Sequence, residues 1–161
     1  MWITRRIVAI NFFLAITLIG CWHMAAAEPT SCNNYLREKA PKFRLARLNQ
    51  NENMQSATLF ISVSPIDITQ DKLLILSCSL GRTYAKKQIL VVWILDDYKA
   101  AKRYNPQGEG NDFATITALR ASYGFSREEN DQSLTWWPDR RNHYGSTVEV
   151  KLGPPPPCPV V

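Results

Sequence analysis

Apolar and polar residues follow regular patterns from residue 57 onward. They alternate over 58–64 and stop at Pro65, and this period of two predicts a strand with one buried face. Apolar residues then recur at spacings of three and four between Leu73 and Tyr84, which predicts a helix. The unbroken apolar run over 89–95 predicts a strand covered on both faces. The three segments together indicate a β-α-β unit with a right-handed crossover.

The second half of the chain has the short strands and polar turns of an antiparallel sheet. A short helix is expected after Asp97, and a long strand is expected over 113–125. Two further strands are predicted over 133–137 and 147–152. Residues 57–152 are therefore predicted to form an α+β domain, with one main helix on a mixed, mostly antiparallel sheet of about five strands in the order β-α-β-β-β.

Two segments flank the predicted domain. Residues 28–56, the basic arm, are polar and carry five Lys and Arg residues against one acid between positions 37 and 47. We expect this arm to be solvated and to fold back on the domain. Residues 153–161, the proline tail, cannot supply many backbone donors to a sheet, so an extended polyproline segment is predicted.

The first 27 residues have the composition of an export signal. Arg5 and Arg6 precede an apolar stretch over 7–19, and the segment contains no acidic residue. The small residues Ala25, Ala26 and Ala27 favour cleavage before Glu28. Loss of the signal lowers the net charge from +5 to about +3, which favours anionic surfaces in general and does not point to nucleic acid.

A second cleavage site lies within the same segment. Leu18, Ile19, Gly20 and Cys21 resemble the lipobox of bacterial lipoproteins, in which the cysteine is acylated and becomes the first mature residue. The signal would then be residues 1–20, and the lipid together with the basic arm would anchor the protein to a membrane surface. The sequence leaves both alternatives open, so we expect a periplasmic or secreted protein, or one anchored by lipid at Cys21.

The cysteine and histidine content limits the chemistry of the exported chain. Cys32 and Cys158 lie outside the predicted strands and helices, and we expect them to pair in an oxidising compartment. Cys78 falls within the apolar helix, where a small buried side chain is expected. His143 is the one histidine after the signal segment, so a zinc site built from several histidines is excluded, and we expect no metal and no cofactor.

Acidic residues follow both strands of the predicted parallel pair, at the edge of the sheet where α/β proteins often bind ligands. Asp67 follows the first strand, and Asp96 and Asp97 follow the second. These positions are also those of helix N-caps, and capping explains the carboxylates without a metal ion.

A further acidic motif gives the alternative function. Pro138 and Asp139, followed by Glu149, Val150 and Lys151, resemble the PD-(D/E)xK signature of metal-dependent nucleases. The resemblance implies that Asp139 and Glu149 bind a cation while Lys151 positions water. The strand alternation also makes Glu149 and Lys151 ordinary solvent-facing residues.

The remaining candidate is a binding surface on the sheet. Trp136 and Trp137 are adjacent in a strand, so their side chains point to opposite faces. One of them would stand on the face not covered by the main helix, near Arg140 and Arg141, as an aromatic and cationic patch. The alternative is that both tryptophans are core residues. We therefore expect an exported, non-catalytic binding domain with an envelope or extracellular protein, peptide or glycan as its partner, and no nucleic acid.

Overall fold

The structure is a computed structural model that describes residues 31–140 and 146–158. The strands are β1 (Phe43–Asn51), β2 (Ser56–Val63), β3 (Ile89–Leu95), β4 (Leu119–Ser126), β5 (Asp131–Trp136) and β6 (Val148–Lys151). The helices are α1 (Gln70–Thr83), α2 (Tyr98–Arg103) and α3 (Phe113–Ala118), with 3-10 turns at Cys32–Asn34 and Pro65–Asp67.

All six strands form one sheet whose strand order is the order of the chain. β2 and β3 are parallel and are joined by α1, while the other four pairings are antiparallel. The predicted α+β class, with a mostly antiparallel mixed sheet and packed helices, is confirmed.

The main helix covers one face of the sheet. The Thr69 hydroxyl accepts a hydrogen bond from the backbone N–H of Lys72 at 3.4 Å, which caps α1 at its first turn. The apolar residues of α1 pack on β2, β3, β4 and β5 in a first core. Its fully buried members include Leu59, Ile61, Leu73, Leu76, Leu90, Val92, Ile94, Tyr123 and Leu134.

The two short helices cover part of the opposite face. The carboxylates of Asp97 and Asp112 cap α2 and α3, each accepting a backbone N–H at 2.7 Å. These helices enclose a second, smaller core with Phe60, Leu95 and Tyr104 among its buried members. The sheet is therefore covered on both faces near the carboxyl ends of β2 and β3.

The basic arm differs from the expected solvated segment, because residues 43–51 form edge strand β1 and bring the sheet to six strands. Its alternation is hidden in the sequence by exposed apolar side chains and by a register shift between Leu45 and Arg47. The guanidinium of Arg44 lies 3.9 Å from the ring centre of Tyr98, so basic residues here cover aromatic surface.

The long strand expected over 113–125 is divided in the structure. Residues 113–118 form α3, and β4 begins at Leu119. The residues of α3 are apolar and β-branched, which favours a strand by propensity alone. The Asp112 cap and the packing of Ala118 in the second core outweigh that local preference.

The disulfide pairing differs from the expected one. Cys32 pairs with Cys78, across a Cα–Cα distance of 5.4 Å, and Cys158 is free. The bond fastens the first 3-10 turn to the buried side of α1, which the sequence could not show because it does not reveal where the turn packs. Disulfides are typical of proteins outside the cytoplasm. None of the helices described here, over 31–140 and 146–158, has the length and hydropathy of a membrane-spanning segment.

Candidate functional site

A cavity of about 710 Å³ lies between the end of α1, the first 3-10 turn and the described part of the proline tail. We call it the tail cavity. Its lining consists of Ser31, Cys32, Asn33, Leu36, Cys78, Arg82, Ala85, Gln132 and residues 152–158. Three parts of the chain that are distant in the sequence therefore meet around one open cavity.

Gln132 holds the beginning of the proline tail in place. Its side-chain amide donates hydrogen bonds to the carbonyl oxygens of Leu152 at 3.1 Å and Pro154 at 2.8 Å. Its backbone N–H donates to the carbonyl oxygen of Gly153 at 3.1 Å. Prolines cannot donate backbone hydrogen bonds but can accept them, so a buried amide donor suits this segment.

The buried phenol of Tyr123 completes this arrangement. Its hydroxyl donates to the side-chain oxygen of Gln132 at 3.0 Å. Burial raises the pKa of Tyr123 above its ordinary value, so the hydroxyl stays protonated and remains a donor at neutral pH. Both ends of the Gln132 amide are thereby satisfied inside the protein, as buried polar groups require.

Arg127 holds the far end of the tail. Its guanidinium donates to the carbonyl oxygen of Lys87 at 3.0 Å, to that of Pro156 at 2.7 Å and to that of Ala85. The Cys158 thiol lies 3.5 Å from the same Ala85 oxygen. The tail is therefore a fixed wall that joins the turn after α1 to the sheet.

The lining is mainly apolar, with proline rings, leucine side chains and the disulfide. Ser31 uses its hydroxyl to cap its own turn, accepting from the Asn33 backbone N–H at 3.3 Å. Among the lining residues in the described part of the chain, Arg82 is the only charged one. Its exposed side chain makes no hydrogen bond or ion pair within that part.

A buried ion-pair cluster lies at the carboxyl end of β3. The side chain of Asp96 is 3% exposed, and its oxygens lie 3.5 Å from an Arg120 nitrogen and 3.4 Å from an Arg140 nitrogen. Burial raises the pKa of Asp96, while Arg140 and Arg120 act against that rise and Asp97 adds to it. The cluster fastens the segment after β5 to the sheet.

Of the carboxylates expected to cap helices, Asp97 does so and Asp67 forms an ion pair. Asp97 caps α2, as expected. Asp67 instead accepts from the Lys72 ammonium at 2.7 Å, and Thr69 takes the cap of α1. In the described ranges, no group of three or more His, Cys, Asp or Glu side chains is arranged to hold a metal ion.

The tryptophan pair lies across the sheet. Trp136 packs against the first core and Trp137 against the second, so their side chains lie on opposite faces. Both are half-buried. Arg140 is 54% exposed but pairs with Asp96. Arg141 lies outside the described residues, as does the candidate lipidation residue Cys21.

The motif that resembles a nuclease signature contributes to surface ion pairs. The Lys151 ammonium lies 3.0 Å from an Asp131 oxygen and 3.1 Å from a Glu149 oxygen. These hydrogen bonds, led by that to Asp131, raise the pKa of Lys151. Asp139 is exposed on the segment after β5. Lys151 is thus paired with one carboxylate of β5 and one of the edge strand β6.

Sequence reasoning missed the tail cavity. One signal was present: Gln132 shares the inward face of β5 with Leu134, so an amide stands where the alternation requires an apolar residue. A buried polar residue implies an internal partner, but nothing in the pattern identifies that partner as the proline tail.

Comparisons of the sequence with protein-family models, with curated proteins and with solved structures found no significant match.

Proposed function

We propose that the protein is an exported, non-catalytic binding domain that holds a small, mostly apolar molecule in the tail cavity. The observation that carries this proposal is an apolar cavity of about 710 Å³ with a few polar side chains in its lining. Pockets of about 300–1,000 Å³ with this character are the usual sites of small-molecule binding.

Two observations support a location outside the cytoplasm. The first 27 residues carry the charge and apolar pattern of an export signal. Cys32 and Cys78 form a disulfide, which oxidising compartments maintain. The ligand is accordingly a molecule of the envelope or the extracellular medium.

The walls of the cavity support binding rather than a reaction. The side chain of Gln132 is hydrogen-bonded to the tail, and that of Ser31 to the first 3-10 turn. These polar groups therefore hold the walls in place and do not face a substrate as acid, base or nucleophile. Arg127 and the disulfide fix the remaining walls. Because the walls are already ordered in the free protein, binding does not carry the entropic cost of ordering them.

A neutral apolar fluorophore, N-phenyl-1-naphthylamine, tests the proposal. We expect saturable binding by the purified exported protein, seen as an increase in fluorescence. Leu36→Trp fills the cavity from its lining and should weaken binding at least about tenfold, which is about 1.4 kcal/mol. Leu48→Trp, on exposed strand β1, is the matched control and should bind as the wild type does.

The free thiol of Cys158 gives a second measurement that does not depend on a cavity variant. Cys158 lines the cavity, so bound fluorophore should slow its alkylation by iodoacetamide. Binding without protection of Cys158, or equal binding by Leu36→Trp and Leu48→Trp, would place the fluorophore elsewhere and contradict the proposal.

A further inference from the structure

We infer that the ligand of the tail cavity is an amphiphile with an alkyl body and one anionic headgroup, and that Arg82 binds the headgroup. This inference rests on the proposed function and adds the chemical class of the ligand. It stands on the apolar lining together with a single cation that has no partner in the described structure.

The position of Arg82 suits a headgroup at the mouth of the cavity. Arg82 belongs to the last turn of α1, and its side chain is exposed while the neighbouring cavity wall is apolar. A guanidinium presents several donors in one plane and can bind a carboxylate or a phosphate with two parallel hydrogen bonds. A ligand anchored there extends its body over Ala85 and the proline rings.

The charges around Arg82 define the side on which the headgroup lies. Arg82 also lines a second, smaller cavity of about 300 Å³, whose lining includes Glu38. Glu38 does not line the tail cavity. An anion is therefore disfavoured in the smaller cavity and favoured on the tail side of Arg82, where it meets no described carboxylate in the lining.

The body of the ligand follows from the shape and chemistry of the remaining wall. Leu36, Leu152 and the prolines offer carbon surface, and the Gln132 amide is already bound on both ends. A ligand with many polar groups would leave them unpaired against this wall, at a free-energy cost for each group. An alkyl chain avoids that cost and gains from burial of apolar surface.

Twelve-carbon compounds with different headgroups test separately whether the cavity binds an alkyl chain and whether it binds an anionic headgroup. Each compound is titrated against N-phenyl-1-naphthylamine bound to the purified protein at low salt and neutral pH, the two anions below their micelle-forming concentrations and dodecanol below its solubility limit. Dodecanoate and dodecyl phosphate should displace the fluorophore about tenfold more strongly than dodecanol, as expected for about 1.4 kcal/mol from charge-assisted hydrogen bonds. The tighter of the two anions then distinguishes a fatty acid from a lipid phosphate as the source of the headgroup.

Arg82→Gln should remove this preference, so that the two anions displace the fluorophore no more strongly than dodecanol does. Lys99→Gln is the matched control, since Lys99 is an exposed cation on α2 on the opposite face of the sheet, and it should retain the preference. Because Arg82 is exposed, Arg82→Gln is expected to fold, and circular dichroism checks this directly.

The possible failures are distinguishable. If the fluorophore does not bind, the proposed function is wrong. If the fluorophore binds but no twelve-carbon compound displaces it, the inference of an alkyl ligand is overturned. If all three compounds bind equally, the cavity binds alkyl chains and the headgroup inference is overturned. A preference for anions that persists in Arg82→Gln also overturns it, because the headgroup would then bind another cation.

Discussion

The hydroxyl of Tyr123 and the amide of Gln132 form a buried polar pair in an otherwise apolar core. Tyr123 of β4 lies against α1 and donates to Gln132 of β5, and Gln132 in turn donates to the proline tail. Gly81 belongs to this set because a side chain at its position would overlap the Tyr123 hydroxyl. The glycine is needed for close approach of helix and sheet, and its backbone angles are ordinary.

Gly81→Ala tests this close approach. We expect the free energy of unfolding to fall by about 1–3 kcal/mol, the usual cost of overpacking a core, measured by urea denaturation. The cost should be smaller when Tyr123→Phe removes the hydroxyl, since the next nearest ring atom is 3.3 Å from the added carbon. An equal cost in both backgrounds would show that Tyr123 is not the obstacle.

The buried carboxyl of Asp96 is expected to make the free energy of unfolding depend on pH. Because burial raises its pKa above the ordinary value of 3.8, the folded protein keeps this proton to a higher pH than the unfolded chain does. The contribution of Asp96 to the free energy of unfolding therefore falls as the pH rises from below 3.8 through the pKa of the folded state.

The variant Asp96→Asn has no titrating group at this position, so its free energy of unfolding lacks the decrease that Asp96 causes as the pH rises. Relative to the wild type, its free energy of unfolding should increase as the pH rises from about 3 to 6. Urea denaturation at several pH values measures the difference. A relative loss over this range would mean that Arg140 and Arg120 outweigh burial and lower the pKa.

Among the elements, the first 3-10 turn depends on the Cys32–Cys78 bond for its attachment to α1. The bond spans a sequence separation of 46, for which the chain-entropy model gives about 4 kcal/mol of stabilisation. Cys32→Ser in a Cys158→Ser background, where no new pair can form, should lose about this amount in denaturant unfolding. Cys158→Ser alone is the control, and a loss of similar size there would contradict the assigned pairing.

Arg127 is expected to control the tail as an element. Arg127→Gln removes the donors to Ala85 and Pro156, so the tail should open more often from the turn after α1. We expect the backbone N–H of Gln132, which donates to the Gly153 carbonyl oxygen, to exchange with solvent several times faster in this variant. Arg103→Gln, at an exposed ion pair with Asp112, should leave the rate unchanged. Equal rates in the two variants would show that Arg127 does not hold the tail.

Strands and helices were predicted correctly from the sequence where the element buries one or both of its faces in a core. The segments 58–64, 70–83 and 89–95 supply most of the first core, and their apolar patterns predicted the type of each element correctly. The single buried face predicted for the strand over 58–64 was wrong, because Phe60 and Ser62 are buried on its other face. Strand β1 lies at the edge with both faces partly open, so its pattern is weak. Helix α3 is six residues long and is set by a cap and by packing, which no period of that length reveals.

Over the whole molecule, the α+β class followed from the order of patterned segments, whereas the site did not. The tail cavity is made by contacts between residues far apart in the sequence, such as Arg127 with Pro156 and Cys32 with Cys78. Trp136 and Trp137 could be placed on opposite faces because alternation is a local property. Their expected role in binding an envelope partner stays a prediction.

The strand order of the sheet, which is also the order of the chain, has a consequence for how the protein folds. Each strand pairs with the one before it, so the sheet can grow in one direction as the chain becomes available. Residues 153–158 follow every strand, and they supply the last wall of the tail cavity. The tail cavity therefore cannot close before β5 supplies Gln132, whose amide holds the Leu152 and Pro154 carbonyl oxygens.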